Sequence, residues 1–197
     1  AGLLRRDGKH VGVDANFTIY DDEDQMNLVK QAMEQADLDP RRYPPRAVQG
    51  VISRAKCLLL DSRSLSQNYQ SYFEEQAAKV YQRYEEMLTR NNSVDFDDLL
   101  MKAVLLLRDN SEVLKRYQRR YLHVLVDEFQ DTNVVQYALA KLLAGEHRNI
   151  CVVGDADQSI YSWRHADIRN ILSFQKDYPE ARTITLEENY RTTGAIL

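Results

Sequence analysis

Three short segments of this chain combine acids, amides and cations in the way that phosphate chemistry requires. Val124-Leu125-Val126 runs directly into Asp127-Glu128-Phe129-Gln130-Asp131-Thr132. An apolar run ending on two carboxylates offers one group to hold Mg²⁺, usually through water, and a second to orient or deprotonate an attacking water. The same pair also occurs as solvated acids in a turn, and these residues alone leave both readings open. Ile150-Cys151-Val152-Val153 is followed by Gly154-Asp155-Ala156-Asp157-Gln158-Ser159-Ile160-Tyr161-Ser162-Trp163-Arg164. Glycine allows a sharp turn, and the Gln158 amide, donor and acceptor at once, suits a group that senses phosphate or the attacking water. Tyr161 and Trp163 are two apart, so an extended backbone points them the same way, beside Arg164. Such a pair can stack unpaired bases, a contact worth about 1–3 kcal/mol per base. Alternatively Trp163, the only tryptophan, is a core residue. Thr183-Ile184-Thr185-Leu186 leads into Glu187-Glu188-Asn189-Tyr190-Arg191. There Arg191 either reaches a terminal phosphate, stabilising charge as it develops, or serves as a surface ion-pair partner.

These segments need a frame. The three runs rich in β-branched residues, separated by helical stretches at about 134–143 and 166–174, predict a parallel sheet with right-handed crossovers. Ligands of such sheets bind beyond the carboxyl ends of the strands, where all three segments fall. Upstream the chain reads as helix. Asp21-Asp22-Glu23-Asp24 places acids at a helix start, and Met26, Val29, Met33 and Ala36 recur at helical spacing. Pro40 and Pro44-Pro45 punctuate, and a second helix is expected over 46–60. A third is expected over 65–88, where Tyr69, Phe73, Gln76-Ala77, Val80, Tyr84 and Met87-Leu88 form one stripe, read as core. Asn91-Asn92 ends it, and Asp95 with Asp98 forms a variant capping pair for a helix through Leu107. The chain changes subdomain here.

Composition narrows the class without naming it. The chain has 197 residues, 44% of them hydrophobic, and a net charge of −4, enough for a packed core but neutral on DNA binding. Arg41-Arg42 and the group Lys115, Arg116, Arg119 and Arg120 are candidate phosphate contacts, with solvated helix faces as the alternative. Cys57 and Cys151 sit in apolar stretches and read as reduced, buried thiols of a cytoplasmic protein, not a disulfide or zinc site. The longest apolar run, 103–107, is far below the roughly 20 residues of a spanning helix, and no signal-peptide pattern is present. The start on Ala1 and the close on Thr192-Thr193-Gly194-Ala195-Ile196-Leu197 both read as cuts within a longer polypeptide.

Taken together, the segments resemble the superfamily 1 DNA helicases of the UvrD/PcrA/Rep group. Val126-Asp127-Glu128-Phe129-Gln130-Asp131-Thr132-Asn133 is similar to that family's motif II, Val153 to Arg164 to motif III, and Leu186-Glu187-Glu188-Asn189-Tyr190-Arg191 to motif IV. Asn16-Phe17-Thr18-Ile19-Tyr20-Asp21 and Asp95-Phe96-Asp97-Asp98-Leu99 extend the likeness over essentially the whole chain. The resemblance implies an α/β fold: a partial RecA-like parallel sheet, missing the strand that carries the phosphate loop, with an all-helical inserted subdomain. Residues 1–12 would be the tail of subdomain 1A, 13–92 the helical subdomain 1B, 93–186 the second half of 1A, and 187–197 motif IV and the start of subdomain 2A. Asp127 would hold the Mg²⁺ of Mg-ATP and Glu128 would activate water. Gln158 would link the γ-phosphate to the DNA path, and Arg191 would contact that phosphate. Tyr161 and Trp163 would stack on single-stranded DNA, with Arg164 organising the junction between nucleotide and strand.

The implied parent is an ATP-dependent helicase moving 3′-to-5′ on single-stranded DNA and acting at single-strand/duplex junctions. Alternatives are the helicase part of a RecB/AddA-type helicase-nuclease and a non-enzymatic DNA-binding module derived from a helicase. Two departures stand out. His165 occupies a position usually held by glycine, and these residues contain no Gly-x-x-x-x-Gly-Lys-Ser/Thr loop, since Gly8-Lys9 has Leu3 and His10 at the flanking positions. Without that loop, residues 1–197 are expected neither to bind nucleotide tightly nor to hydrolyse it, and the sheet is expected to present an exposed edge or apolar face.

Overall fold

The structure, a computed structural model, describes residues 1–159, 167 and 169–188. Helix α1 (Gly2–Asp7) and a 3-10 turn (Gly8–Val11) lead to the short strand β1 (Thr18–Ile19). Four helices follow: α2 (Asp22–Gln35), α3 (Pro45–Cys57), α4 (Ser62–Asn68) and α5 (Tyr72–Arg90). Strand β2 (Ser93–Val94) then precedes α6 (Phe96–Asp109) and α7 (Ser111–Arg120). The last part holds β3 (Val124–Val126), α8 (Val134–Ala144), β4 (Ile150–Val152) and α9 (Arg169–Asp177).

Side-chain caps explain most of the helix starts. Asp21 accepts from the N–H groups of Glu23 and Asp24 while Asp24 reaches back to the Asp21 N–H, and Asp95 with Asp98 does the same for α6. Pro45 opens α3, where its missing N–H costs nothing. The helix expected over 65–88 is two helices. Ser71 has extended backbone and accepts from the Glu74 N–H, while Glu74 accepts from the Gln70 N–H, so a cap interrupts the helical run. Tyr69, assigned to the core stripe from its spacing, lies in that break and is 46% exposed.

Two apolar cores result. One gathers α2, α3, α4 and α5 around Val29, Met33, Val48, Ile52, Val80 and Tyr81. The other packs Leu4, Phe17, Val94, Leu106, Leu107 and Tyr117, with Leu139, Leu142 and Leu143 of α8 against it. β1 and β2 pair in parallel, Thr18 opposite Ser93 and Ile19 opposite Val94, so the chain leaves for the helical layer and returns at adjacent points.

A buried ion cluster joins the two parts. Lys56 Nζ, at the end of α3, lies 2.6 Å from Asp95 Oδ2 and 2.9 Å from Asp98 Oδ1, with its side chain fully buried. Tyr84 Oη donates to the same Asp95 oxygen at 2.9 Å. Burial alone would lower the Lys56 pKa, but the carboxylates of Asp98 and Asp95 outweigh it and hold the ammonium above the ordinary lysine range. Burial likewise raises the carboxyls; it prevails at Asp98, whereas the Lys56 contact carries Asp95 below its usual value.

The sheet of the second part is β3 paired in parallel with β4, Leu125 opposite Cys151, with α8 connecting them. Val124, Val126, Ile150 and Val152 are half-buried on the helix side. On the other face Leu125 is 76% and Val153 52% exposed, and Cys151 is exposed rather than buried as its apolar neighbours suggested. The third expected strand, 183–186, has no regular structure: among the described residues no strand lies beside it to take up its backbone groups. No described helix is long and apolar enough to cross a membrane.

Candidate functional site

Beyond the carboxyl end of β3 the chain turns sharply at Glu128, whose φ of +49° is left-handed, a conformation few non-glycine residues adopt. Local bonds hold it there. The Glu128 N–H donates to Asp127 Oδ1 at 2.9 Å, the Phe129 N–H to the Val153 carbonyl at 2.9 Å, and the Asp131 N–H to the Glu128 carbonyl at 2.9 Å. Phe129 is fully buried, edge-on to Tyr137 and Phe174 at ring distances of 5.2 and 5.6 Å. The turn is thus anchored by an aromatic cluster on α8 and α9, and both carboxylates point to solvent.

The residue that connects this turn to the next is Gln130, to which sequence reading gave no separate role. It is 1% exposed. Its Nε2 donates to Glu128 Oε2 at 2.8 Å, and its Oε1 accepts from the Asp155 N–H at 3.0 Å. Asp155 Oδ2 in turn accepts from Gln158 Nε2 at 2.6 Å, and Asp155 Oδ1 from the Asp157 N–H at 3.0 Å. A continuous path of hydrogen bonds therefore runs from Glu128 through Gln130 and Asp155 to Gln158. Gly154 makes it possible. A Cβ there would lie 2.7 Å from Gln130 Oε1 and 3.2 Å from Ile171 Cδ1, so the glycine is needed for close approach rather than for a left-handed turn.

Asp127, Glu128 and Gln158 accordingly share one edge of the sheet. Arg191, Tyr161, Trp163, Arg164 and His165 lie outside the described residues. Downstream, Thr132 and Asn133 fix α9 and α8: Asn170 Nδ2 donates to the Thr132 carbonyl at 2.9 Å, and Asn133 caps α8 reciprocally with Gln136. Asn133 Nδ2 also donates to Cys57 Sγ at 3.5 Å, so the last turn of α3 touches the segment that follows the carboxylates. A groove of about 880 Å³ opens between α3 and this segment, lined by Arg46, Gln49, Phe96, Asp97, Asp131 and Asn133.

The donor set suits Mg²⁺ of the kind that nucleotides carry. Among the described residues no group of three or more His, Cys, Asp or Glu side chains could hold a metal unaided. Adjacent exposed carboxylates, each with one oxygen engaged by the turn, match a hard cation bound through one or two protein oxygens, with phosphate and water completing its shell. The chemistry of Asp127 fits such a cation, with Glu128 beside it.

The parallel pair β3 and β4 thus carries Asp127, Glu128 and Gln158 beyond its carboxyl edge, where open parallel sheets bind their ligands. Residues 1–179 match the model of the UvrD/REP helicase N-terminal domain, and the chain belongs to that family. It is 47% identical over 195 residues to the ATP-dependent DNA helicase PcrA of Staphylococcus aureus (strain NCTC 8325 / PS 47), covering 99% of this chain and 27% of that protein. Against the PcrA of Bacillus subtilis (strain 168) the identity is also 47% over 195 residues, covering 99% of this chain and 26% of the relative. The chain thus spans about a quarter of the length of these relatives.

Proposed function

We propose that this chain is part of an ATP-dependent DNA helicase that couples Mg-ATP hydrolysis to 3′-to-5′ translocation on single-stranded DNA and to duplex unwinding. The observation that carries the reading is the path from Glu128 through Gln130 and Asp155 to Gln158. It ties the group that would act on water to the group that would sense phosphate, so a shift at either turn would be felt at the other. Mg²⁺, when bound with the nucleotide, would neutralise charge on the phosphate oxygens. Asp127 would hold it, and Glu128 would orient the attacking water and accept its proton. Gln158 would link the terminal phosphate to the DNA path and Arg191 would contact that phosphate, while Tyr161 and Trp163 would stack on single-stranded DNA and Arg164 would organise the junction between nucleotide and strand. The helical layer, 13–92, would be an inserted subdomain; the adjacent departure and return at β1 and β2 support that assignment. Residues 93–186 would complete the core subdomain, and 187–197 would begin the passage to the next.

Residues 1–197 alone would hold nucleotide weakly, since no glycine-rich loop supplies backbone donors for the phosphates. The decisive test uses the full-length polypeptide. Glu128→Gln preserves the acceptor for Gln130 but not the base, so turnover is expected to fall about 10²–10⁴-fold with ATP binding retained. Unchanged turnover would remove Glu128 from catalysis.

A further inference from the structure

Helix α7 divides its side chains sharply. Val113, Tyr117 and Gln118 are buried, while the arc facing solvent carries Lys115, Arg116, Arg119 and Arg120, with Glu112 its only acid. Positions four apart lie one above the other, so Lys115 with Arg119 and Arg116 with Arg120 make two parallel cationic rows, each with a rise of about 6 Å. That concentration stands out in a chain whose net charge is −4. Arg116 is engaged: it reaches Asp7 Oδ2 at 2.5 Å, where Tyr117 Oη also donates, which locks α7 to the end of α1. Lys115, Arg119 and Arg120 form no ion pair among the described residues. The α1 end adds exposed Arg6, within electrostatic reach of Tyr117.

The position of this surface separates it from the carboxylate turn. α7 ends three residues before β3 begins, so it abuts the amino end of the sheet, while Asp127, Glu128 and Gln158 occupy the carboxyl end. We infer that the exposed arc of α7 is a second nucleic-acid contact of this helicase, which grips the phosphate backbone without reading bases. Three of the four cations are arginines, whose planar forks suit phosphate oxygens. Arg120 also lies 5.6 Å from the ring of Tyr121, which stacks on Tyr117 at 6.0 Å and is 43% exposed, so a partly exposed aromatic ring stands beside the cations. The inference rests on the proposed helicase reading, and it places DNA on a part of the chain remote from the nucleotide.

The test is the triple substitution Lys115→Gln, Arg119→Gln, Arg120→Gln in the full-length polypeptide, leaving Arg116 to hold Asp7. Binding of a defined duplex oligonucleotide is measured as a function of salt, alongside ATP hydrolysis stimulated by a short single-stranded oligonucleotide. The slope of log affinity against log salt is expected to fall by about 2–3, with affinity lower by about tenfold or more near physiological salt. Oligonucleotide-stimulated hydrolysis should be unchanged, which shows that the protein is folded and its track intact; a triple of Lys115→Arg, Arg119→Lys and Arg120→Lys should keep the slope. An unaltered slope overturns the inference while leaving the helicase reading in place. So does an unaltered slope with lost binding of poly-glutamate, which would assign the surface to an acidic protein partner. If the unsubstituted protein binds no DNA, the underlying reading fails with it.

Discussion

In the helical layer Met33, Val48, Val80 and Tyr81 are fully buried, and even the charged Lys56 is inside, matched by two carboxylates. In the β3–β4 sheet, by contrast, one face packs on helices and the other presents Leu125, Cys151 and Val153 to solvent. The layer closes its own core; the sheet holds the turns at its carboxyl edge from one side only. Two paired strands are marginal by themselves. The geometry of the carboxylate turn therefore depends on what lies behind it: Phe129 in its aromatic cluster, and Gln130 fitted against Gly154.

The contrast can be broken hardest at Lys56. Lys56→Met keeps the length of the side chain but leaves Asp95 and Asp98 buried without a counter-ion, a loss expected to be about 3–5 kcal/mol in chemical denaturation. The two carboxylates would then both be held above their unfolded values. Acids with raised folded pKa values cost most at neutral pH, so the deficit should shrink as pH falls and they take up protons. A deficit independent of pH would show that packing, not charge, sets the contribution of Lys56.

A matched pair of truncations sharpens the same comparison. Met33→Ala empties a fully buried site in the helical layer and should cost about 2–5 kcal/mol, whereas Leu125→Ala removes an exposed side chain and should stay within about 0.5 kcal/mol. Leu125→Ala or Leu125→Lys should at the same time reduce self-association, read as sedimentation or light scattering, because it interrupts the open apolar face. Equal destabilisation by Met33→Ala and Leu125→Ala would mean that the sheet face is covered in solution.

Most of the helical half is legible from residues because its signals are local. Acids and amides that cap helices, prolines at their starts and apolar repeats all act within a few positions, and α2, α3, α6 and α8 begin close to where those signals place them. The break between α4 and α5 was also written locally, as Ser71 with Glu74, but the longer aromatic stripe masked it. β1 and β2, two residues each, are too short to show alternation and exist because distant segments meet. The same holds at the site. Strand-end carboxylates and the Gln158 turn can be read from order alone, whereas the role of Gln130 emerges only when Gly154, distant in sequence, closes upon it. For residues 183–186 the β-branched pattern supplies propensity, but propensity without a neighbouring strand leaves the segment irregular.

The gentlest probe of the contrast uses the two cysteines, one in each part. Burial, with the negative charges of Asp97 and Asp95 behind it, pushes the Cys57 thiol up to about 12, and its sulfur contacts Asp97 and Asn133. Cys151 is exposed on the open sheet face. Since thiolate is the reactive form, a maleimide at mildly alkaline pH should modify Cys151 readily and spare Cys57 until the protein unfolds. The same difference has a thermodynamic consequence. An unfolded thiol ionises near about 8.5, so above that pH the unfolded chain releases a proton that folded Cys57 retains. The stability associated with Cys57 is therefore complete below that value and declines as pH rises towards the folded value of about 12. Cys57→Ala should flatten this alkaline decline, and Cys151→Ala should leave it unchanged. Equal labelling of the two thiols in the folded protein would instead show that the end of α3 separates readily from Asn133, and with it the helical layer from the segment that follows the carboxylates.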